Sequence, residues 1–282
     1  MRRLSIVHTE SSLGWGGQEI RILSESQGLM RRGHEVKLLC APQARIQAEA
    51  PNWGVAAVEL PIERKRPRGL RALIDWFRAN RCDVVNTHSS TDSWLAALAL
   101  LALKRPCPIV RTRHISARVP RGPLSRWLYM RAAARVVTTG EALRRQLVEQ
   151  NGFRAARIES VPTGMDAGRF RPGDRAAARA ALGLPASGTL VGIVATLRSW
   201  KGHAWLLEAM RALPEPVGLV IVGDGPLREA LERQTAKLGL SKRVRMAGDR
   251  ADVLPWLRAL DIFALPSYAN EGVPQALVQA ML

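Results

Sequence analysis

The 282-residue chain is poor in cysteine: Cys40, Cys82 and Cys107 are scattered and form no C-x-x-C. Such a pattern argues against a disulfide framework or a zinc site and fits a reducing cytosol. Long apolar runs are also missing. The longest, from Trp94 to Leu103, is half the ~20 residues a membrane span needs, and reads as a buried helix. The opening M-R-R-L-S-I-V-H meets polar residues too early for a secretory signal and reads as a first strand. Aromatic residues make up only 5%. The eight tryptophans do not line one basic face, so a stacking groove for single-stranded nucleic acid is not expected. Neither H-E-x-x-H nor Asp-x-Asp occurs, and no metal is expected. Acid is absent from Ser93 to Gly140, where Lys104, Arg105, Arg111, Arg113, Arg118, Arg121, Arg126, Arg131 and Arg135 stand alone.

What is present is cationic. Net charge is +18, from 42 Lys+Arg against 24 Asp+Glu. A field of one sign attracts polyanions: an anionic membrane, a phosphorylated glycan or lipid, or nucleic acid. Arg and Ala are abundant throughout, so compositional bias alone is the plainer alternative.

Apolar β-branched runs at 4–8, 35–40, 83–87, 108–112 and 135–139 alternate with helical stretches at 18–32, 69–80 and 141–150. The alternation resumes with strands at 190–194, 218–222, 243–247 and 261–265 and helices at 203–213, 226–238 and 252–260. That is a succession of βαβ units with parallel sheets. A Gly- and Pro-rich segment at 162–174 reads as a linker. The expected division is a domain at 1–165, a linker at 166–185 and a second domain at 186–282, with a cleft between the domains. The chain stops at Met281-Leu282, inside an apolar helix with no C-cap signal, so the second domain is expected to be truncated.

Chemistry-bearing residues cluster where strands end. The run D-I-F-A-L-P-S-Y-A-N-E-G-V-P-Q-A-L-V-Q, Asp261 to Gln279, leads from a strand through a polar loop to a helix. It places Glu271 and the backbone N–H groups of Gly272 and Val273 at a carboxyl sheet edge, where open α/β sheets bind ligands. A helix start there suits phosphate, and a carboxylate suits sugar hydroxyls. Arg198 and Lys201 follow the strand 190–194 and suit a diphosphate without a metal. Gly223 and Gly225, in G-D-G-P, form a strand-to-helix turn whose glycines read as structural or as ligand-touching. Gly14, Gly16 and Gly17 follow the first strand; they permit close backbone approach and φ > 0 turns, or make a tight turn. His114 ends the strand 108–112, and His88 ends 83–87 as its competitor. His8 and His34 read as packing or loop residues.

These segments, taken together, resemble the nucleotide-sugar glycosyltransferases of family 4, which have the GT-B fold. The matching stretches are the run 261–279, L-V-G-I-V-A-T-L-R-S-W-K-G-H at 190–203, L-V-I-V-G-D-G-P-L-R at 219–228 and S-V-P-T-G-M-D-A-G-R-F at 160–170, with G-W-G-G-Q-E and G-L-M-R-R-G-H-E-V near the start. The resemblance implies two Rossmann-like domains, the first binding acceptor and the second donor. It implies transfer of a sugar from a nucleotide diphosphate to a glycan or lipid-linked acceptor, retaining configuration and using no cofactor. It points to the lipopolysaccharide or cell-surface polysaccharide type, in the cytoplasm or peripheral at the inner membrane face, with no obligate protein partner and no nucleic acid. It makes His114 and Glu271 the catalytic pair. Donor contacts fall to Gly16, Gly17, Arg198, Lys201, Gly223, Gly225, Glu271, Gly272, Val273 and Gln279. Two places depart from the family pattern. Ala195-Thr196-Leu197 replaces Gly-Arg-Leu, with Arg198 standing in for the arginine, and Gln279 replaces a second Glu, keeping hydrogen bonding to ribose but not the charge. The rival reading is a non-catalytic basic module that grips anionic membrane or nucleic acid.

Overall fold

The computed structural model describes residues 2–104, 107–269 and 271–282; Arg105 of the acid-free stretch and Asn270 of the C-terminal run lie outside the described residues. The chain divides into two units, Met1–Thr163 and Gly164–Leu282.

The first unit is built on seven parallel strands: β1 (Ser5–Glu10), β2 (Glu35–Cys40), β3 (Ala56–Glu59), β4 (Val84–Thr87), β5 (Ile109–Arg113), β6 (Ala133–Thr138) and β7 (Ile158–Ser160). Their order is β3-β2-β1-β4-β5-β6-β7. Five were expected from their apolar β-branched runs. The other two, A-A-V-E and I-E-S, are too short to display a period. Consecutive residues Leu38, Leu39 and Cys40 are all fully buried, as they must be in a parallel strand covered on both faces. The helix Ser90–Ala102 holds the apolar run that begins at Trp94, with Leu95, Ala96, Ala97, Ala99 and Leu100 buried. No helix among the described residues is long and apolar enough to cross a membrane. Cys82 and Cys107, 25 residues apart in sequence, meet with their sulfurs 3.4 Å apart.

The second unit has four parallel strands, β8 (Leu190–Val194), β9 (Gly218–Val222), β10 (Val244–Gly248) and β11 (Ile262–Phe263), in the order β10-β9-β8-β11. Side chains alternate across a strand. Leu219 and Ile221 accordingly join one core cluster, and Val220 and Val222 another, on the opposite face of the sheet. β11 is shorter than the expected 261–265, although Ala264 N still donates to Gly192 O at 2.8 Å.

The segment expected as a linker to residue 185 is not all linker. Arg175–Leu182 is a helix, capped by Asp174, whose side chain accepts from Ala177 N. Asp261 fastens it in place: Arg179 and Arg175 each donate to this carboxylate at 2.5 Å, and Leu190 N donates at 2.7 Å. The Gly and Pro residues before Asp174 signalled a loop; the alanine-rich R-A-A-A-R-A-A-L after it carries high helix propensity.

Strand order fixes where each sheet can take a ligand. In the first sheet the chain runs outward from β1 to β3 and then returns to place β4 on the other side of β1. In the second it runs from β8 to β10 and returns to place β11 beside β8. Open α/β sheets offer a crevice at such reversals, outside the carboxyl ends of the strands.

Candidate functional site

In the second unit the reversal lies between β8 and β11. Lys201 follows β8 and Glu271 follows β11. The two side chains form an ion pair, Nζ to Oε1, at 2.5 Å, and each keeps about a fifth of its surface exposed. The loops are stitched by Tyr268 N donating to Trp200 O at 3.0 Å. Gly202 has φ +79°, and a Cβ there would run into the Pro266 carbonyl, so glycine is what allows the two loops to approach. Arg198 is exposed and lies over the Trp200 ring, 5.8 Å from its centroid; Lys201 is engaged by Glu271 instead. Glu271, Gly272 and Val273 precede the helix Gln275–Met281, which Pro274 opens and which carries Gln279.

Gly223 and Gly225 have φ of 138° and 159°. A Cβ at Gly223 would strike the Ala195 carbonyl, and one at Gly225 would lie 2.8 Å from Leu197 O. Backbone packing thus accounts for both glycines. His203, after Gly202, is buried with neither ring nitrogen partnered by protein; burial, with Lys201 adding to it, holds its pKa down to about 4.

In the first unit the reversal lies between β1 and β4, and polar groups are buried there at unusual density. Glu10, Thr9, His8, Thr87, His88 and Asp92 are all at most 2% exposed. Asp92 accepts from Thr9 Oγ1 at 2.6 Å and from His88 N at 2.9 Å through one oxygen, and from Ser89 N at 2.9 Å through the other. It closes the capping box of the helix Ser90–Ala102 and ties β1 to the end of β4. Gln18 donates to Glu10 Oε2, and Ser12 N to Oε1 at 2.7 Å. The glycines before Gln18 need no positive φ: Gly16 is extended, with φ 179°, and the helix Gly17–Arg31 starts directly after it. The expected φ > 0 turn is therefore corrected to an extended entry into the helix.

Three histidines form a chain. His8 Nδ1 lies 2.8 Å from His88 Nε2, and His88 Nδ1 lies 2.9 Å from His114 Nε2. Sequence treated His88 and His114 as rivals and His8 as packing; the structure brings all three together. Burial holds His114 down to about 3, with Arg21 and Arg111 adding repulsion, and His8 down to about 4. Burial also holds His88 well below the usual range. All three are neutral near neutral pH, so each ring carries one N–H. His8 Nε2 is buried with no protein partner. Buried N–H groups without acceptors are rarer than under-used acceptors. We therefore assign the protons to His8 Nδ1, His88 Nδ1 and His114 Nδ1, each of the first two donating to the next ring. The terminal ring, His114, keeps its N–H on Nδ1, free of the chain.

Glu10 is the carboxyl that sequence reading passed over. Burial, with Asp92 and Glu19 adding repulsion, pushes it up to about 8 from 4.5, so it is a neutral acid rather than a nucleophile. The stability it contributes is complete below pH 4.5 and is lost as pH rises through about 8, at about 1.4 kcal/mol per pH unit. Glu10→Gln removes this component. Urea midpoints at about pH 6 and about pH 8 should therefore fall less in the variant than in the parent chain; parallel profiles would mean Glu10 is already ionised when folded.

Comparison with known proteins fits this geometry. Residues 15–169 match the model described as Glycosyltransferase Family 4, and residues 188–282 that described as Glycosyl transferases group 1. The D-inositol 3-phosphate glycosyltransferase of Mycobacterium tuberculosis is 30% identical over 90% of this chain and 60% of its own length. The chain thus spans about 60% of the length of the curated relatives it matches. Among solved structures, Anabaena HepE in complex with UDP-glucose superposes with a TM-score of 0.84 at 22% identity, over 99% of this chain and 78% of that one. Sucrose-phosphate synthase from Thermosynechococcus elongatus gives 0.78 at 19%, over 99% and 79%. The architecture is the GT-B fold, and the chain belongs to glycosyltransferase family 4.

Proposed function

We propose that the protein transfers a sugar from a nucleotide-diphosphate sugar to a glycan or lipid-linked acceptor, without a metal and with retention of configuration. The observation that carries this reading is the Lys201–Glu271 pair at the strand reversal of the second sheet. A half-buried cation and a carboxylate, side by side where an α/β sheet takes its ligand, suit the two ends of such a donor. Lys201 neutralises the leaving diphosphate, with Arg198 free to swing in beside it. Glu271 accepts from sugar hydroxyls. On this reading Gly272 and Val273 offer backbone N–H groups to the phosphates, and Gln279 hydrogen-bonds the ribose. Gly16, Gly17, Gly223 and Gly225 let backbone come near the donor, and His114 Nδ1–H stands beside the reacting sugar. The bond from the anomeric carbon to the phosphate oxygen breaks. A bond to the acceptor oxygen forms on the same face, and the acceptor proton passes to the departing phosphate. UDP-glucose in the HepE structure supports a nucleotide sugar as donor class here. We assign the reaction to cell-envelope polysaccharide or lipopolysaccharide synthesis, in the cytoplasm or peripherally at the inner membrane face.

A thermal-shift screen of nucleotide sugars, followed by transfer assays, tests the reading. A matched donor should raise the melting temperature, and turnover should survive EDTA. Loss of turnover on chelation, restored by magnesium or manganese, would replace the Lys201 mechanism with a metal one.

A further inference from the structure

The first unit contains a cavity of about 350 Å³ at the carboxyl ends of β4 and β5. Lys65, Arg111, Arg113 and Arg118 line it, and no Asp or Glu does. Two of these cations are deeply buried, Arg111 at 3% and Arg113 at 9% exposed. Both stand in R-T-R-H, the strand end that leads to His114. Arg113 donates to Tyr129 Oη at 3.2 Å and to Ala117 O. Arg111 donates to Ser89 O at 2.7 Å and to Ser93 Oγ. The Nε–H of each is buried without a protein partner. Asp92 lies close enough to Arg111 to feel its field. Among the described residues, the side chains acting on Arg113 are instead the Tyr129 phenol and the repelling Arg111.

A buried guanidinium without an opposing charge is costly to fold. A second buried guanidinium, Arg111, stands beside Arg113 and repels it in a pocket that no Asp or Glu lines, which adds to the cost unless the pocket's purpose is to receive an anion. Arginine presents a planar fork that suits phosphate oxygens. Lys65 adds a mobile charge at the rim, with Nζ 3.4 Å from Ser90 Oγ and 5.9 Å from the centroid of the Trp94 ring. Trp94 and Leu128 give the cavity an apolar wall, which suits a carbon skeleton attached to the charge. The volume is that of a small-ligand pocket. Two arginines of the acid-free stretch are thereby used inside the fold rather than on a solvent face.

We infer that this pocket binds the phosphoryl group of a phosphate monoester, so that the acceptor is a phosphorylated sugar or polyol. The acceptor role rests on the glycosyltransferase reading; the anion site does not.

Titration calorimetry on the 282-residue chain separates the two. Inorganic phosphate and glucose 6-phosphate should bind, and glucose should not. Lys65→Ala and Arg118→Ala change exposed residues and so spare the fold; each should weaken binding about tenfold, the worth of one charge-assisted contact. Arg113→Lys keeps the charge but loses the fork and should weaken it as well. Lys201→Ala, in the other unit, should leave it unchanged. Glucose binding as tightly as glucose 6-phosphate, or phosphate affinity that follows Lys201 rather than Lys65 and Arg118, would overturn the site. Phosphate binding that follows Lys65 and Arg118, combined with transfer to neutral acceptors only, would uphold the site and overturn the acceptor role.

Discussion

Glu271→Ala is expected to lower transfer from the nucleotide sugar by about tenfold to a hundredfold, because a hydrogen bond to a charged group is worth about 1.5–3 kcal/mol. The melting temperature should change little, since Glu271 is part-buried in a loop and its ion pair is with Lys201 in the neighbouring loop. The ion pair makes the expectation sharper than a single substitution would. Lys201 serves two masters: Glu271 in the free protein and, on the proposed mechanism, the diphosphate in the complex. Removing Glu271 frees Lys201, so affinity for the nucleotide diphosphate alone should hold or rise while transfer falls. Lys201→Ala should weaken the diphosphate and leave Glu271 without its cation. A double-mutant cycle on transfer should then show strong coupling, because the two residues are in contact. Wild-type rates in Glu271→Ala, or single effects that simply add, would remove the pair from the reacting centre.

The fold was largely legible in the sequence. Strand and helix alternation is a local, periodic signal. The buried parallel strands are nearly continuous apolar runs, so β2, β8 and β9 stand where the pattern put them. Elements were missed where the signal is too short to be periodic, as in β3 and β7, or where loop residues border a helix, as in Arg175–Leu182. In the second unit, Lys201 and Glu271 were legible because each follows a strand. Their pairing was not, since strand order decides which loops meet and only the folded sheet displays that β11 lies beside β8. In the first unit, Glu10 and Asp92 went unread, and Arg111 and Arg113 were read only as members of the basic stretch, because each looks like an ordinary surface charge in isolation. A local signal did exist. β1 is a buried parallel strand that ends in H-T-E, and β5 one that contains R-T-R. Charge inside such a strand is unexpected on packing grounds, and where it gathers toward the carboxyl end it marks the ligand crevice rather than the core.

His114→Ala is expected to reduce kcat/KM by about tenfold to a hundredfold, the range set by the 1–3 kcal/mol cost of leaving a buried hydrogen-bonding group unmade. The stronger expectation concerns pH. A histidine acting as an acid with an ordinary pKa would lose its proton, and its activity, as pH rises past 6.5. Burial and the nearby Arg21 and Arg111 hold His114 down to about 3, so it is already neutral throughout the range in which the protein can be assayed. Its contribution is then a fixed Nδ1–H donor, not a proton on loan, and the wild-type profile should show no histidine limb between about pH 5 and about pH 8. The tautomer depends on the chain behind it. His88→Ala leaves His114 Nε2 without its donor from His88 Nδ1, and the ring is then free to place its proton on either nitrogen. That variant should lose activity, and imidazole ¹⁵N spectra should display a mixture of tautomers at His114 where the parent shows one. A parent spectrum with the His114 proton on Nε2 would reverse the chain, make His8 Nε2 a buried donor without an acceptor, and remove the physical basis for this role.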